Sequence, residues 1–272
     1  MSLITITSGI GCGAPEIARL LNEKLNLEVY DDGKLQEEAL SMGISREELK
    51  DFNEKAPGLF NRLFRLKPQT YLEVMEAVIY KISGKDDAVI LGYGASFLLR
   101  DFGCAFHVRI YASEPSRIEY LVAQQGFSTE AAKKLIDKSD DERNGFMRFA
   151  FRMNWDDPSL YDLIINTDKI GVDGAAEMII AARDVDAIKE CSLAALESME
   201  RLSLAKRVEA ELIKNVLNPG NYNVFIPEAG IVHLSGIINP LESKDKLIGY
   251  VKGVSGVKEV IADLQTERIH DI

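Results

Sequence analysis

Cysteine is scarce in these 272 residues, and the three present, Cys12, Cys104 and Cys191, stand far apart. An odd number at such spacing matches neither a zinc-ligand pattern nor a disulfide framework, which predicts a chain kept in a reducing compartment. No apolar run approaches the roughly eighteen residues of a membrane-spanning helix. The start, Met1-Ser2-Leu3-Ile4-Thr5, lacks the basic and apolar segments of a secretion signal. Both absences predict a cytoplasmic protein with no transmembrane segment. Positive charge is also short: 32 Lys and Arg face 43 Asp and Glu, for a net charge of -11. Residues 200–272 hold 9 basic and 10 acidic side chains, so the residues before them carry nearly all of the deficit. That field opposes general nucleic-acid binding, which needs many phosphate contacts from a basic surface. Any phosphate ligand must be held by a local cluster. Of only three histidines, His107 and His233 lie within apolar runs and have no partners spaced for a metal, so no metal site is expected from them.

What is there is the balance of a globular protein, 46% hydrophobic and 28% charged. Within sixteen residues the chain gives an apolar strand (Ile4 to Ile6), a glycine turn (Gly9, Ile10, Gly11, Cys12, Gly13, Ala14) and a helix start (Pro15-Glu16-Ile17). Pro15 suits the first helical position, where the N–H it lacks has no intrahelical partner. Free N–H groups at such a turn point at an anion, which makes Gly9 to Ala14 the candidate phosphate-binding residues. In the frame G-x-x-x-x-G-K-[ST] from Gly9, however, Ala14, Pro15 and Glu16 replace the second glycine, the lysine and the hydroxyl residue. The same turn, read as Gly9-x-Gly11-x-x-Ala14 with Asp31 after the next strand, also fits a dinucleotide fingerprint. A glycine turn that only packs a helix on a sheet is a third reading.

Leu27 to Tyr30 reads as a short strand ending at Asp31-Asp32, and residues 45 to 83 as mostly helical, broken by Pro57-Gly58 and Pro68. Ala88 to Leu91, Phe106 to Tyr111 and Leu163 to Ile165 are apolar runs of buried parallel strands, separated by helical stretches at Glu130 to Lys138 and Gly174 to Arg183. The pattern predicts an α/β fold: a parallel sheet flanked by helices, with a helical insertion and a lid. Residues 184–203 read as a helical connector. A small α+β domain follows over 204–268, in the order helix (Leu204 to Val216), two strands (Asn223 to Pro227, Ile231 to Leu234), helix (Leu241 to Tyr250), strand (Val257 to Leu264). The first domain then spans 1–183.

Arginines are the side chains suited to hold phosphates. Arg148 and Arg152, four apart, are expected on one helical face with Asp140 and Asn144, and Arg143 on another face of that helix. As a lid they would clamp phosphates; as a solvated salt-bridged helix they would not. Asp31 and Asp32 would orient a ribose hydroxyl or a metal-bound water, or simply form a turn. Cys12, near a helix N-terminus, is either a reactive thiol of lowered pKa or a residue small enough for the turn. Trp155 is expected to anchor the lid by packing.

Ile4-Thr5-Ile6 with the glycine turn and Glu16-Ile17-Ala18, Tyr30-Asp31, Val89 to Gly92 with Leu98 to Asp101, Arg109 to Ala112, Arg117-Ile118, Ala131 to Asp140 with Arg143, and Trp155 to Thr167 together resemble the cytidylate kinase-like family over residues 3 to about 182. Val232 to Gly236 and Val254 to Val260 resemble a BON domain, a module associated with phospholipid surfaces. The first resemblance implies a nucleoside monophosphate kinase fold, ATP with magnesium as phosphoryl donor, and a cytidylate-like acceptor, with Arg143, Arg148, Arg152 and Asp31 as catalytic candidates. Members without the standard lysine carry arginine before the glycine loop, at the start of its helix and between two glycines after the third strand. Here Ser8, Pro15 and Tyr93 stand in those places, which implies impaired transfer. A non-catalytic nucleotide sensor, recruiting a protein partner, a second copy or, less in keeping with its near-neutral charge, lipid through the BON-like domain, is the alternative; a dinucleotide-binding protein is another.

Overall fold

Five short strands form the larger sheet, the inner ones apolar enough to be covered on both faces. They are β1 (Leu3–Ser8), β2 (Glu28–Tyr30), β3 (Ala88–Leu91), β4 (Ala105–Tyr111) and β5 (Leu163–Asn166). All pair in parallel, in the order β2-β3-β1-β4-β5. The computed structural model describes residues 3–42, 44, 68–85, 87–92, 94–185, 188, 191–216, 221–239 and 242–266. Tyr93 and the 45–67 part of the long helical stretch, with Pro57-Gly58, lie outside them. β1 is central, with Leu3, Ile4 and Ile6 essentially inaccessible.

Helix α1 (Ala14–Leu25) starts at Gly13, whose φ of 81° is left-handed, with Pro15 in its first turn, and lays Ile17, Ala18 and Leu21 on the sheet. Helix α2 (Asp32–Ser41) follows β2, and α3 (Pro68–Ser83) precedes β3. After β3 come α4 (Ala95–Leu98), then β4, α5 (Glu114–Gln125) and α6 (Thr129–Phe151). The helical stretch read at Glu130 to Lys138 and the helix expected to carry Arg143 and Arg148 are one helix, α6, which ends at Phe151 and buries Ile136, Phe146 and Met147. Helix α7 (Thr167–Arg183) follows β5; its kink at Gly171 (φ 66°, ψ -174°) explains why helical periodicity is readable only from Gly174.

The described residues form two compact units. One comprises those up to Glu37 with Lys85–Ser192, and the other those from Glu38 to Gly84 that include α3, with everything from Leu193. A single helix, α8 (Leu193–Asn215), continues through the sequence read as connector and next helix. It packs against α3, where Ser203 Oγ donates to the Ala77 carbonyl at 2.7 Å. Strands β6 (Tyr222–Phe225), β7 (Ile231–Ile238) and β8 (Glu259–Thr266) make the second sheet, β6 antiparallel and β8 parallel to the central β7. Helix α9 (Lys244–Gly253) supplies the crossover that a parallel pair needs.

The reading of the cysteines is corrected. Cys104, just before β4, and Cys191 form a disulfide across 87 residues, leaving only Cys12 as a free, buried thiol. Sequence spacing does not report which Cβ atoms meet in a fold, and the inference of a reducing compartment loses its basis.

Candidate functional site

The glycine turn is closely fitted from below. A Cβ on Gly9 would sit 2.7 Å from Arg117 Nη2, one on Gly11 2.9 Å from the Arg117 carbonyl oxygen, and one on Gly13 2.5 Å from Val172 Cγ1. Gly11 and Gly13 also need positive φ (82° and 81°), so no larger residue fits either position unstrained. Gly13 caps α1 with no side chain bonded to the helix's first N–H groups. Those donors belong to a wall of a cleft of about 630 Å³ that also takes in Asp31, Asp32, Lys34, Tyr120 and Arg143. Helix dipole and open N–H groups together favour an anion there.

Arg117 is the residue that sequence reasoning missed as part of the site. It stands on the first turn of α5 and donates from Nε to the Ile10 carbonyl (2.7 Å), from Nη1 to Asp140 Oδ2 (2.7 Å) and from Nη2 to Asp140 Oδ1 (2.8 Å). The bidentate pair fixes the turn, and it also neutralises the guanidinium. Its only signal was its place among the family-like residues. Arg143, on α6, donates to the Ser8 carbonyl and stacks 5.1 Å from the Trp155 ring centre. Arg109 approaches that ring equally closely, with Nη1 donating to the Trp155 carbonyl (3.0 Å). Trp155 is buried, as packing demands, yet its Nε1 has no hydrogen-bond partner among the described residues. It lines a recess with Thr7, Phe97, Phe146 and Met147, and Arg143 lines both this recess and the cleft.

Arg148 and Arg152 are not brought to this place. Both are exposed, and neither lines the cleft or the recess. Arg152 is the left-handed C-cap of α6 (φ 54°), so the expected helical face does not extend to it. Asp31 lines the cleft, and its Oδ1 accepts from the Lys34 amide (3.0 Å) at the start of α2, combining the turn-forming and site-lining readings. Glu16 accepts from the Tyr120 hydroxyl, while its Oε2 is buried without a hydrogen-bond partner among the described residues. Burial pushes the Cys12 thiol up, with Arg117 offsetting only part, so the reading of a thiol activated by a helix N-terminus is corrected.

A buried chain of hydroxyls reaches the recess. His107 Nε2 lies 3.2 Å from the Leu99 carbonyl, an acceptor only, so its proton sits there. Nδ1 then accepts from Thr5 (2.7 Å), Thr5 accepts from Ser96 (3.1 Å), and Ser96 accepts from Thr7 (2.8 Å). Burial pushes His107 down, which keeps it neutral as this relay requires. Two threonines inside a strand covered on both faces were the sequence signal for it.

The cytidylate kinase-like family pattern matches residues 3–169. The cytidylate kinase of Thermoplasma volcanium is 23% identical over 189 residues, covering 69% of this chain and 94% of that protein. That of Desulfurococcus amylolyticus is 27% identical over 183 residues, covering 66% and 91%. Among solved structures, an uncharacterized protein from Eubacterium ventriosum has the same fold, with TM-score 0.53 and 24% identity over 67% of this chain and 98% of that one. With the match running from β1 into α7 and taking in the glycine turn, Arg117 and Arg143, the chain belongs to the cytidylate kinase-like family.

Proposed function

We propose that the larger unit binds a nucleoside phosphate at the Gly9 to Ala14 turn, and that its transfer of a phosphoryl group from ATP to a cytidylate-type acceptor is slow or lost. The observation that carries the binding is α1 opening on the cleft with a glycine cap and no side chain on its first N–H groups. The unsatisfied Nε1 of Trp155 offers a donor in the adjoining recess. The strand order also bears on the dinucleotide reading. In the dinucleotide fold β2 lies beside β1, whereas here β3 stands between them.

Phosphoryl transfer needs positive charge on the moving group and in-line positioning more than covalent chemistry. Arg143 is placed to meet a phosphate at the turn; Arg117 holds the turn's shape with its charge answered by Asp140. Ser8 and Pro15 bring no cation to the cleft. Losing one preorganised donor costs roughly 2.7–4 kcal/mol in the barrier, so two such losses are enough to suppress turnover. Magnesium, where bound with ATP, would neutralise phosphate charge. Asp31 and Asp32 fit it as the one or two carboxylates such an ion takes alongside phosphates, and no group of three or more ligating side chains occurs among the described residues. The BON-like reading of the second unit, and with it a partner or lipid contact there, rests on the sequence resemblance.

Titration calorimetry with ATP, CTP, CMP and NAD at matched salt tests the binding, and a coupled assay with ATP and CMP tests the transfer. ATP or CTP is expected to bind with little turnover. Binding of NAD alone would overturn the nucleotide-kinase reading, and rapid turnover would overturn the impairment.

A further inference from the structure

The second unit contains a groove of about 640 Å³ between α8 and the turns that lead into β7 and β8. Arg207 lies half-buried in its wall. Its Nη1 donates to the Ser255 carbonyl at 2.7 Å, and its Nε is inaccessible with no hydrogen-bond partner among the described residues. Among the described residues no carboxylate stands within ion-pair distance of Arg207, nor of Arg201 or Lys258, which line the groove with it. Desolvation is the one influence on Arg207, pushing its pKa down with nothing to offset it. A guanidinium taken partly out of water without a counter-charge is costly, and proteins rarely keep one without a use. A tether to one carbonyl uses one of its five N–H bonds and requires no charge.

The surroundings hold the cations in place. The Gly230 turn (φ 88°) accepts the Lys258 amide at 2.8 Å, and a Cβ on Gly230 would sit 2.8 Å from Lys258 Cγ. A Cβ on Gly256 (φ 93°) would sit 3.5 Å from Arg207 Nη2. Ile226 and Leu204 give the groove an apolar floor, while Glu197, Glu200 and Glu228 lie exposed on its lining.

We propose that this groove is a second ligand site, for a phosphomonoester no larger than a nucleotide, with its phosphate held by Arg207 and Lys258. Charge selects the class. A phosphomonoester carries close to two negative charges at neutral pH and presents three acceptor oxygens, enough to answer Arg207 and Lys258 together, whereas a carboxylate would leave one of that pair unanswered. The groove's size is that of a small-molecule pocket. Glu228 would accept from the hydroxyls of a sugar and would repel a long polyanion.

The full chain is titrated calorimetrically with ribose 5-phosphate and, separately, sedimented with vesicles of neutral lipid containing phosphatidic acid, to distinguish a soluble phosphate from a headgroup. The variants are R207Q and K258Q, with R143A as the control for the first unit. Binding in either arm that survives R143A and weakens about tenfold in R207Q, as expected for loss of a charge-assisted contact, supports the proposal. K258Q, at an exposed position that folding does not require, should weaken it several-fold, so the test does not depend on the fold of R207Q. No binding in either arm, or binding unchanged in both variants, would overturn it.

Discussion

Breaking the Cys104–Cys191 bridge should loosen the larger unit far more than the other. The bond closes a loop of 87 residues within that unit, from the edge of β4 to the segment just before α8. In the chain-entropy account a cross-link of this length disfavours the unfolded chain by about 4–5 kcal/mol. In a unit of this size each kcal/mol corresponds to about 2–4 °C in Tm, so roughly 8–20 °C should be lost. Scanning calorimetry of the oxidised protein, the reduced protein, Cys104→Ser and Cys191→Ser provides the measurement. The transition of the larger unit should fall in all three perturbed samples while that of the second unit stays, an internal control. Coincident transitions in all four, or three alkylatable thiols in the denatured but unreduced protein, would refute the reasoning.

Arg143→Ala should weaken ATP binding about tenfold or more with little change in Tm, while Arg148→Ala and Arg152→Ala, at exposed positions, should do less; quenching of the single tryptophan, Trp155, reads all three. Arg117→Ala leaves Asp140 without its partner and should destabilise the protein by about 3 kcal/mol or more, measured by urea unfolding, because removing one member of a part-buried pair strands the other. Glu73, Glu76 and Glu209 all meet Lys206 at 2.8–2.9 Å, and burial with the neighbouring Glu209 pushes Glu73 up to about 8. Between the usual carboxylate range and pH 8 the folded chain therefore holds a proton that the unfolded chain has released, so stability should fall as pH rises through that window. Glu73→Gln should remove this slope, and urea midpoints at pH 6 and pH 9 that still differ as in the natural protein would contradict it.

The parallel sheet was legible because β1, β3, β4 and β5 are apolar runs bounded by polar turns, a pattern set within each strand. The glycine turn was legible for the same local reason. Arg117 was not, since its role depends on α5 bringing it under a turn more than a hundred residues earlier. Nor was the bridge between Cys104 and Cys191, which no spacing rule encodes. The arginine pair on α6 misled in a different way. Helical periodicity placed Arg152 with Arg148, but the helix ends at Phe151 and the chain turns left-handed at the next residue.

The union of α3 with α8 imposes an order on biosynthesis. Ala77 and Ser203, which share a buried hydrogen bond, are 126 residues apart, so α3 leaves the ribosome long before its partner is made. Its buried residues include Val74, Ala77 and Val78, and α8, the helix it packs against, is made only when the chain is about three-quarters complete. A truncation between β5 and α8 would leave uncovered the part of α3 that α8 packs against. Such a product is open to aggregation and proteolysis even though every strand of the larger sheet is already present.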